Sequence, residues 1–580
     1  MLKLLKYLRP YKYLLILVFV LAIGQSVANL YLPTLMADIV NKGISAFDTA
    51  FIWRTGGLMA LVAIAGTICA VVGTYYSSQI ATGMCTLMRA DIFKKVQHFS
   101  LHEFDTISTA SLITRTTNDT NQIQQVMVMI FNLLITAPIT LVVGIILALH
   151  EDVGLAWVLV AIMPFLVAVI VVLLIKAIPL FSVMQVKLDK LNLILDENLT
   201  GVRVVRAFNR IKHEEERFDV ANHDVTNIAI KVNQLMATMM PVMMLTINVS
   251  SVAIIWFGSR RVAADKLELG AMFAFLQYAF QILFSLLMVA VTFVMIPRAE
   301  ASATRINEVM AMEPEINDPK KKRSPSKQKG YVEFDNVTFS YHGAEKPALT
   351  DISFAAAPGE VTAIIGGTGS GKSTMVNLIP RFYDVEKGKI LVDGVDTREV
   401  TQAELRAKIG FVPQKAVLFS GTINENIRYG KEDAKESEIK HAADVAQATD
   451  FISKMPEGFE SRISQGGTNV SGGQMQRLSI ARALVRKPEI YVFDDTFSAL
   501  DFKTDARLRT ALKGETREAT VIIVAQRVST VIDADQIIVL DDGKIVGHGR
   551  HNDLMKTCDV YRGIVTSQLS AAEIEEESHE

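Results

Sequence analysis

The sequence predicts an α-helical domain of six membrane-spanning helices, followed by a soluble α/β domain. Three observations support this fold class. Half of the 580 residues are hydrophobic and only 21% are charged, whereas an average soluble domain carries about 25% charged residues. The long charge-free stretches all lie before residue 300. A glycine-rich loop follows a β-branched strand near residue 366, which is typical of an α/β domain.

The composition excludes several classes of protein. The net charge is −2, from 59 Lys and Arg against 61 Asp and Glu, so no overall charge attracts nucleic acid and no nucleic-acid partner is predicted. The three cysteines, Cys69, Cys85 and Cys558, are too few and too scattered for a disulfide framework or a metal site. A disordered, collagenous or disulfide-rich secreted protein is therefore excluded.

Six stretches without Asp, Glu, Lys or Arg mark the helical domain, residues 1–310. Each reaches the roughly 20 residues that a helix needs to cross a hydrocarbon core of about 30 Å. A single stretch could be the buried helix of a soluble protein, but six in one chain favour a membrane domain. The predicted spans lie at about residues 14–37, 55–80, 127–149, 153–175, 235–258 and 271–297.

The distribution of Lys and Arg predicts the orientation of these spans. With the N-terminus in the cytoplasm, segments 1–13, 89–121 and 176–231 lie inside and hold 17 Lys and Arg, against 5 in the outside segments. This excess of positive charge on the inside supports the orientation, which places both termini in the cytoplasm and makes membrane lipid an expected partner. The mixed charges of segment 176–231 also predict that spans continue as solvated helices below the membrane.

A change of composition separates the two domains. Residues 311–330 are polar and contain prolines, which predicts a linker. Residues 331–567 have the pattern of a soluble α/β domain. Residues 568–580 form an acidic tail that we expect to be disordered.

The strongest local motif is a P-loop that follows the strand beginning at Val361. Its pattern, G-x-x-x-x-G-K-[ST], lets backbone N–H groups surround phosphate oxygens, and the next helix adds the dipole of its N-terminus. We expect Lys372 to bridge the β- and γ-phosphates of ATP and Ser373 to ligate Mg²⁺. The predicted ATP-binding loop comprises Gly366, Gly367, Thr368, Gly369, Ser370, Gly371, Lys372, Ser373 and Thr374.

A second apolar strand, residues 489–493, ends in two acidic residues. Asp494 is placed to hold Mg²⁺, directly or through water. Asp495 stands where a general base for the attacking water would be. The alternative explanation is a pair of solvated acids at an exposed strand end.

Further motifs resemble those of ATP-binding cassette (ABC) transporters. Gln414 resembles their Q-loop glutamine, which implies a contact with Mg²⁺, and Tyr341 resembles the aromatic residue that stacks on adenine. Residues 498–501 resemble their D-loop. Residues 469–474 resemble their signature sequence, which implies action on the ATP of a partner chain by Ser471, Gly472, Gly473 and Gln474.

The resemblance extends over nearly the whole chain. Residues 197–210 are similar to the intracellular loop of ABC half-exporters, and six spans before one P-loop cassette is their domain order. The chain thus resembles a half-transporter of the multidrug-type ABC exporter family. This implies a two-chain assembly that sandwiches two ATP molecules between the P-loop of one chain and the signature of the other. It also implies coupling contacts near residues 101–108 and 201–208.

Two catalytic positions depart from the family pattern. The family usually has Glu after the strand-end Asp and His in the switch loop, where this chain has Asp495 and Gln526. An aspartate places its carboxylate about 1.5 Å short of the lytic water, and such a displacement can cost on the order of 10²-fold in rate. We therefore expect this site to bind ATP and hydrolyse it poorly. The favoured hypothesis is a heterodimer with a half-transporter that has Glu and His; a slow homodimer is the alternative.

The substrate and direction are less defined by the sequence. Methionine-rich, uncharged spans favour export of a small hydrophobic or amphipathic compound, such as a drug, lipid, haem-like molecule or peptide. An importer or a nucleotide-gated channel on the same scaffold stays open, although spans without charged residues offer no ionic pathway. The expected location is the plasma membrane of a bacterium.

Overall fold

The chain divides into two units in the computed structural model, which describes residues 1–320, 323 and 329–569. The helical unit comprises Met1–Gln97 and Ser108–Met312. The sheet unit comprises His98–Ile107 and the described residues from Glu313 onward. The predicted linker, residues 311–330, is described only in part, and of the predicted acidic tail residues 570–580 lie outside the described residues.

The helical unit begins with a 3₁₀ segment, Leu2–Tyr11, and continues as long helices. Short π-helical turns lie at Ile39–Ile44, Arg115–Asp119 and Ile130–Leu134. The α-helices up to residue 311, including α3 of the sheet unit, are α1 (Lys12–Asp38), α2 (Thr49–Val96), α3 (Leu101–Thr106), α4 (Thr109–Thr114), α5 (Thr120–Met129), α6 (Thr136–Glu151), α7 (Val153–Thr200), α8 (Val202–Ala207), α9 (Ile211–Val262) and α10 (Leu269–Ala311).

The six predicted spans correspond to six helical stretches that are long and apolar enough to cross a membrane. Among the described residues these are Leu2–Ile44, Thr49–Val96, Thr109–Glu151, Val153–Thr200, Ile211–Val262 and Leu269–Val289. Helices α7 and α9 have 48 and 52 residues. At 1.5 Å per residue, the length of each helix is more than twice the thickness of a hydrocarbon core. The spans therefore continue as helices beyond the apolar stretches, as the mixed-charge segment predicted.

Helix α10 forms the core of the helical unit. Its side chains Phe275, Tyr278 and Ile282 are fully buried against other helices, and the Tyr278 hydroxyl lies 2.7 Å from Thr34 Oγ1 of α1. This pairing satisfies a hydroxyl that would otherwise be costly to bury.

The sheet unit is built on a six-stranded sheet with the order β12-β11-β3-β10-β9-β6. All neighbours in it are parallel except β11 and β12. A four-stranded sheet, β2-β1-β4-β5, and a two-stranded sheet, β7-β8, accompany it. The strands are β1 (Val332–Phe339), β2 (Leu349–Ala356), β3 (Val361–Gly366), β4 (Lys387–Val392), β5 (Val395–Asp396), β6 (Ile409–Val412), β7 (Gly421–Thr422), β8 (Arg462–Ile463), β9 (Ile490–Asp494), β10 (Thr520–Val524), β11 (Gln536–Asp541) and β12 (Lys544–Gly549).

Helices cover the six-stranded sheet, whose central strands are buried along their length. Burial on both faces explains why β9 and β10 are continuous apolar runs without alternation. The helices are α11 (Lys372–Leu378), α12 (Gln402–Ala407), α13 (Ile423–Arg428), α14 (Glu436–Val445), α15 (Thr449–Ile452), α16 (Gly472–Leu484), α17 (Phe502–Glu515), α18 (Val528–Val531), α19 (His551–Thr557) and α20 (Asp559–Gln568).

Candidate functional site

The predicted site residues meet at the carboxyl ends of four parallel strands. The P-loop begins at the end of β3, and the acidic pair lies at the end of β9. Gln414 follows β6, and Gln526 follows β10. Because β6, β9, β10 and β3 are consecutive neighbours in one sheet, their ends open onto the same edge. Ligands of parallel α/β sheets bind at this edge.

The P-loop wraps closely around its own lysine. Lys372 Nζ donates hydrogen bonds to the carbonyl oxygens of Gly366, at 2.9 Å, and Gly367, at 2.6 Å. Gly371 has a φ of +100°, and a side chain there would meet Ala348 O at 2.9 Å, so only glycine fits the turn into α11. A Cβ at Gly367 or Gly369 would meet nothing within 4 Å. The loop backbone is therefore open to a ligand on that side.

Oxygen atoms suited to Mg²⁺ lie beside the P-loop. Ser373 Oγ donates a hydrogen bond to Asp494 Oδ1 at 2.9 Å. A hydroxyl and a carboxylate are the oxygen ligands that Mg²⁺ takes beside nucleotide phosphates. Burial raises the pKa of Asp494, and the charge of Asp495 adds to this effect, while the Ser373 hydrogen bond opposes it. A cation between these oxygens would offset that cost of ionisation.

Asp495 is held by two glutamine side chains. Its Oδ2 accepts hydrogen bonds from Gln526 Nε2 at 2.7 Å and from Gln414 Nε2 at 3.2 Å. Burial raises the pKa of Asp495, although Gln414, Ser498, Lys372 and Gln526 favour the ionised form. Its backbone has a φ of +46°, a conformation that Asp tolerates better than most residues. The two predicted catalytic residues, Asp495 and Gln526, are thus joined by a direct hydrogen bond.

Tyr341 lies at the rim of the same site. Its ring packs edge-on against Phe339 and Tyr383, with centroid distances of 5.0 and 5.5 Å, and its hydroxyl lies 2.9 Å from Thr374 Oγ1. The ring is 38% exposed. These contacts hold the ring in place while leaving part of its surface available for stacking.

A cavity of about 300 Å³ joins these groups, and its wall includes Tyr341, Lys372, Gln414, Asp495, Gln526 and five further P-loop residues. This volume is at the lower end of the range for small-molecule sites. The aromatic ring at the rim matches the base of Mg-ATP. The open glycine backbone and the lysine match its phosphates, and the hydroxyl–carboxylate pair matches its magnesium ion. The residues present therefore fit ATP with Mg²⁺.

The signature residues form a separate feature of the sheet unit. Ser471 caps α16, and its Oγ accepts a hydrogen bond from Gln474 N while Gln474 Oε1 accepts one from Ser471 N at 2.8 Å. A Cβ at Gly472 would meet nothing within 4 Å, whereas one at Gly473 would meet Ala499 O at 3.1 Å. In the described part of the chain, residues 471–474 are not among those that line the cavity.

Two supports of this site were not predicted from the sequence. Ser498 Oγ donates to the carbonyl oxygen of Asp495 at 2.8 Å, and Arg527 Nη2 donates to the carbonyl oxygen of Ser498 at 3.0 Å. Arg527 follows Gln526 directly, so the loop after β10 contacts both Asp495 and the D-loop segment. The position of Arg527 directly after Gln526 was the one sequence feature that pointed to it. Its contact with Ser498 depends on the order of the strands in the sheet.

The two predicted coupling segments lie in different units. Helix α3 belongs to the sheet unit and α8 to the helical unit. Glu103 of α3 is buried, and its Oε1 accepts a hydrogen bond from Glu315 N at 2.9 Å. The ring of His102 lies 4.6 Å from that of His342, the residue after Tyr341. Helix α3 thus contacts Glu315, near the start of the second stretch of the sheet unit, and His342, in the segment beside the cavity.

Comparison with known proteins agrees with this arrangement. The family description "ABC transporter transmembrane region" matches residues 15–286, and "ABC transporter" matches residues 349–498. An uncharacterised ABC transporter ATP-binding protein of Mycobacterium tuberculosis (strain CDC 1551 / Oshkosh) is 42% identical over 573 residues, or 98% of each chain. A fatty acid ABC transporter ATP-binding/permease protein of Mycobacterium bovis is 34% identical over 82% of this chain and 75% of that protein.

A solved structure has the same fold. It is described as a bacterial Atm1-family ABC exporter with ATP bound, and it has a TM-score of 0.81 and 26% identity over 97% of this chain and 99% of that one. Six apolar helices before a P-loop α/β cassette define an ABC exporter fold, which confirms the predicted fold class. The chain belongs to the ABC transporter family. It is a multi-pass membrane protein that couples ATP use to transport.

Proposed function

We propose that this chain is one half of a heterodimeric ABC exporter in which its own P-loop site binds Mg-ATP but hydrolyses it slowly. The partner is a second half-transporter with Glu and His where this chain has Asp495 and Gln526. The cargo is a small hydrophobic or amphipathic compound that leaves the cytoplasm. The assembly lies in a bacterial plasma membrane with both termini of this chain in the cytoplasm.

The hydrogen bonding of Asp495 is the observation that carries the proposal of slow hydrolysis. A general base needs a free oxygen within hydrogen-bond reach of the attacking water. Here the amides of both Gln414 and Gln526 donate to Asp495 Oδ2, so one of the two carboxylate oxygens is already engaged. The side chain is also one methylene shorter than glutamate, so the other oxygen reaches less far toward the attacking water. Gln526 is also neutral at every pH, so it cannot place a positive charge beside a γ-phosphate as a protonated histidine can.

ATP binding depends on other residues of the site. Tyr341, Lys372 and Ser373 line the cavity. Asp494 adjoins it through its hydrogen bond with Ser373. ATP held there, with Mg²⁺ supplying charge neutralisation for its phosphates, would act as a ligand that favours the closed arrangement of two cassettes. A site of this kind regulates a partner's turnover by its occupancy.

The signature supports a role toward the partner. Ser471 and Gln474 form a reciprocal cap that orders the N-terminus of α16, and a helix N-terminus favours phosphate oxygens. The open position at Gly472 leaves that surface accessible. We infer that this signature completes the partner's hydrolytic site, so the mixed complex turns over ATP even though this chain alone does so slowly.

Three observations favour an amphipathic cargo and outward transport. The spans carry methionines and uncharged polar side chains among apolar residues, a composition that accommodates varied apolar molecules. The relative from Mycobacterium bovis is named a fatty acid transporter, and a fatty acid is an amphipathic molecule. The solved structure with the same fold is named an exporter. Import and a nucleotide-gated channel are the alternatives that a vesicle experiment must separate.

The test compares ATP hydrolysis by the purified chain alone with hydrolysis by the chain co-expressed with a half-transporter that carries Glu and His. We expect the chain alone to bind ATP and to turn over on the order of 10²-fold more slowly than the mixed complex. The double variant D495E/Q526H of this chain should raise its own turnover, because it restores the longer base and the imidazole. The variant K372A, which should lose ATP binding, is the control for nucleotide occupancy.

Rapid ATP turnover by the chain alone would contradict the heterodimer and favour the homodimer. Transport is then measured in inside-out vesicles that contain the mixed complex. ATP-dependent accumulation of an amphipathic dye in their lumen supports export. ATP-dependent loss of preloaded dye would indicate import, and an ATP-gated current without accumulation would indicate a channel.

A further inference from the structure

The N-terminal segment Leu2–Tyr11 is a 3₁₀ helix of ten residues. A 3₁₀ helix has three residues per turn, so side chains at positions i and i+3 lie directly above one another. The basic residues of this segment and its junction with α1 follow that spacing without a break. They are Lys3, Lys6, Arg9 and Lys12.

The same periodicity divides the segment into three faces. One face contains Leu4 and Tyr7, which are buried. A second face contains Leu2 and Leu5, which are 84% and 38% exposed. The third face is the basic row, defined as Lys3, Lys6, Arg9 and Lys12, and all four side chains are exposed. With a rise of about 2.0 Å per residue, consecutive cations of the row are about 6 Å apart along the axis.

The positive charge of the basic row is not neutralised within the described part of the chain. None of its four residues forms an ion pair there. Lys6 and Lys12 instead lie 4.9 Å from the ring centroids of their neighbours Tyr7 and Tyr13. A row of like charges at this spacing is self-repulsive, and an anion bound along the row would relieve that repulsion.

The segment is fastened to two long helices. The Tyr7 hydroxyl donates a hydrogen bond to Asp91 Oδ2 of α2 at 2.8 Å, and the N-terminal ammonium of Met1 lies 2.8 Å from Glu300 Oε1 of α10. The basic row therefore keeps a fixed direction relative to α1, α2 and α10.

The position of the row identifies what it meets. Lys12 is the first residue of α1, and the charge-free stretch of the first span begins two residues later, so the row lies at the boundary between water and hydrocarbon. Exposed Leu2 and Leu5 adjoin the row on the next face. A surface with cations on one side and leucines on the other matches lipid, whose phosphate groups lie above its acyl chains. An acidic protein or a nucleic acid would leave the leucines in water.

We propose that the basic row binds the phosphate groups of anionic phospholipids at the membrane surface. Each cation engages a headgroup as a point charge or, for Arg9, as a bidentate donor, while Leu2 and Leu5 enter the acyl boundary. Since the segment is joined to α2 and α10, bound lipid also stabilises the position of these helices. This lipid site is independent of the ATP site and of the identity of the cargo.

The test measures the lipid selectivity of the full chain in bilayers of phosphatidylcholine that contain spin-labelled lipids. The same measurement is made on the mixed complex of the chain with its partner half. The wild type should prefer spin-labelled phosphatidylglycerol to spin-labelled phosphatidylcholine, and the preference should weaken with added salt. The variant K3Q/K6Q/R9Q/K12Q should lose the preference. The association constant for phosphatidylglycerol, relative to that for phosphatidylcholine, should fall by about fivefold for each cation removed.

Two further variants serve as controls. The variant K346Q/K440Q/K454Q/K556Q removes four exposed cations of the sheet unit and should leave the preference unchanged. The variant L5K/K6L keeps the composition and the net charge but moves one cation from the basic row to the leucine face. It should lower the preference by about the amount expected for one lost cation, because the row depends on register and not on total charge.

Either of two results would overturn the proposal. The first is an unchanged phosphatidylglycerol preference in the quadruple N-terminal variant, with a normal folded yield by gel filtration. The second is an equal loss in the sheet-unit control, which would mean that net charge alone attracts the lipid. Loss of assembly with the partner half at an unchanged preference would assign the basic row to a protein contact.

Discussion

At the residue scale, Asp495 combines an unusual backbone conformation with a buried charge. Burial raises its pKa above the value of a free aspartate, so the folded protein holds the proton more tightly than the unfolded chain does. The stability from this group is fully present below the unfolded pKa, about 3.9, and is lost as the pH rises through the folded pKa. At neutral pH the ionised Asp495 therefore destabilises the fold.

The variant D495N should accordingly raise the melting temperature of the nucleotide-free protein at pH 7.5. A gain of about 1 kcal/mol corresponds to roughly 2–4 °C for a domain of this size. Asparagine tolerates the φ of +46° and keeps an oxygen that accepts from Gln526 Nε2. The difference should shrink as the pH is lowered toward 4. Melting curves of the full chain over this pH range measure it.

Asp542 provides the matched control for that measurement. It also has a left-handed backbone, with a φ of +43°, but its side chain is exposed. The variant D542N should show no gain at pH 7.5, since it removes no buried charge. An equal gain in both variants would mean that the left-handed backbone, and not the buried carboxylate, limits stability.

At the element scale, α10 is joined to the π-helical turn Arg115–Asp119 through a buried polar cluster. Arg305 Nε donates to Asp119 Oδ2 at 2.8 Å, and its Nη2 contacts Asp119 Oδ1. Ser302 Oγ donates to the same carboxylate at 2.9 Å, which is 4% exposed. An ion pair of this kind contributes little relative to apolar packing, but losing one partner leaves a buried charge without compensation.

The variant R305L should therefore destabilise the helical unit by about 3–5 kcal/mol, since it leaves the carboxylate of Asp119, which is 4% exposed, without its cation. The variant E308Q removes the charge from the neighbouring pair with Arg115, which is 3.0 Å long and whose Glu308 is 55% exposed. Arg115 keeps its hydrogen bonds to Arg305 O at 2.8 Å and to Ser111 Oγ at 3.2 Å. That change should cost less than about 1 kcal/mol. Thermal inactivation of the two variants in the same detergent compares them, and similar losses would show that the Asp119 cluster is not a special contact.

The P-loop and the strand-end acids were predictable because each motif is a short segment whose geometry is set by its own residues. The charge-free stretches predicted the membrane spans, and the mixed charges of segment 176–231 predicted that α7 and α9 continue as polar helix. Contacts between distant segments were not predictable. Gln414 and Asp495 are 81 residues apart, and their bond depends on the strand order of the sheet.

At the scale of the whole molecule, α3 stands out because its neighbours in sequence belong to the helical unit while α3 itself belongs to the sheet unit. Glu103 fastens it there, as Oε1 accepts from Glu315 N and Oε2 from Ser100 Oγ at 2.6 Å. Burial alone would raise the pKa of Glu103, but these hydrogen bonds lower it overall. The carboxylate thus stays ionised at neutral pH, and its contribution to stability is lost only as the pH falls through that lowered pKa.

This anchor gives a prediction about coupling between ATP use and transport. The variant E103A removes the acceptor of the Glu315 N–H and of Ser100, so α3 should lose its fixed position in the sheet unit. We expect transport by the mixed complex to fall about tenfold while ATP hydrolysis falls less than twofold, because Glu103 is outside the nucleotide cavity. The variant E345Q, which changes an exposed glutamate of the same unit, should alter neither rate. Parallel loss of transport and hydrolysis in E103A would instead assign Glu103 to the folding of the sheet unit.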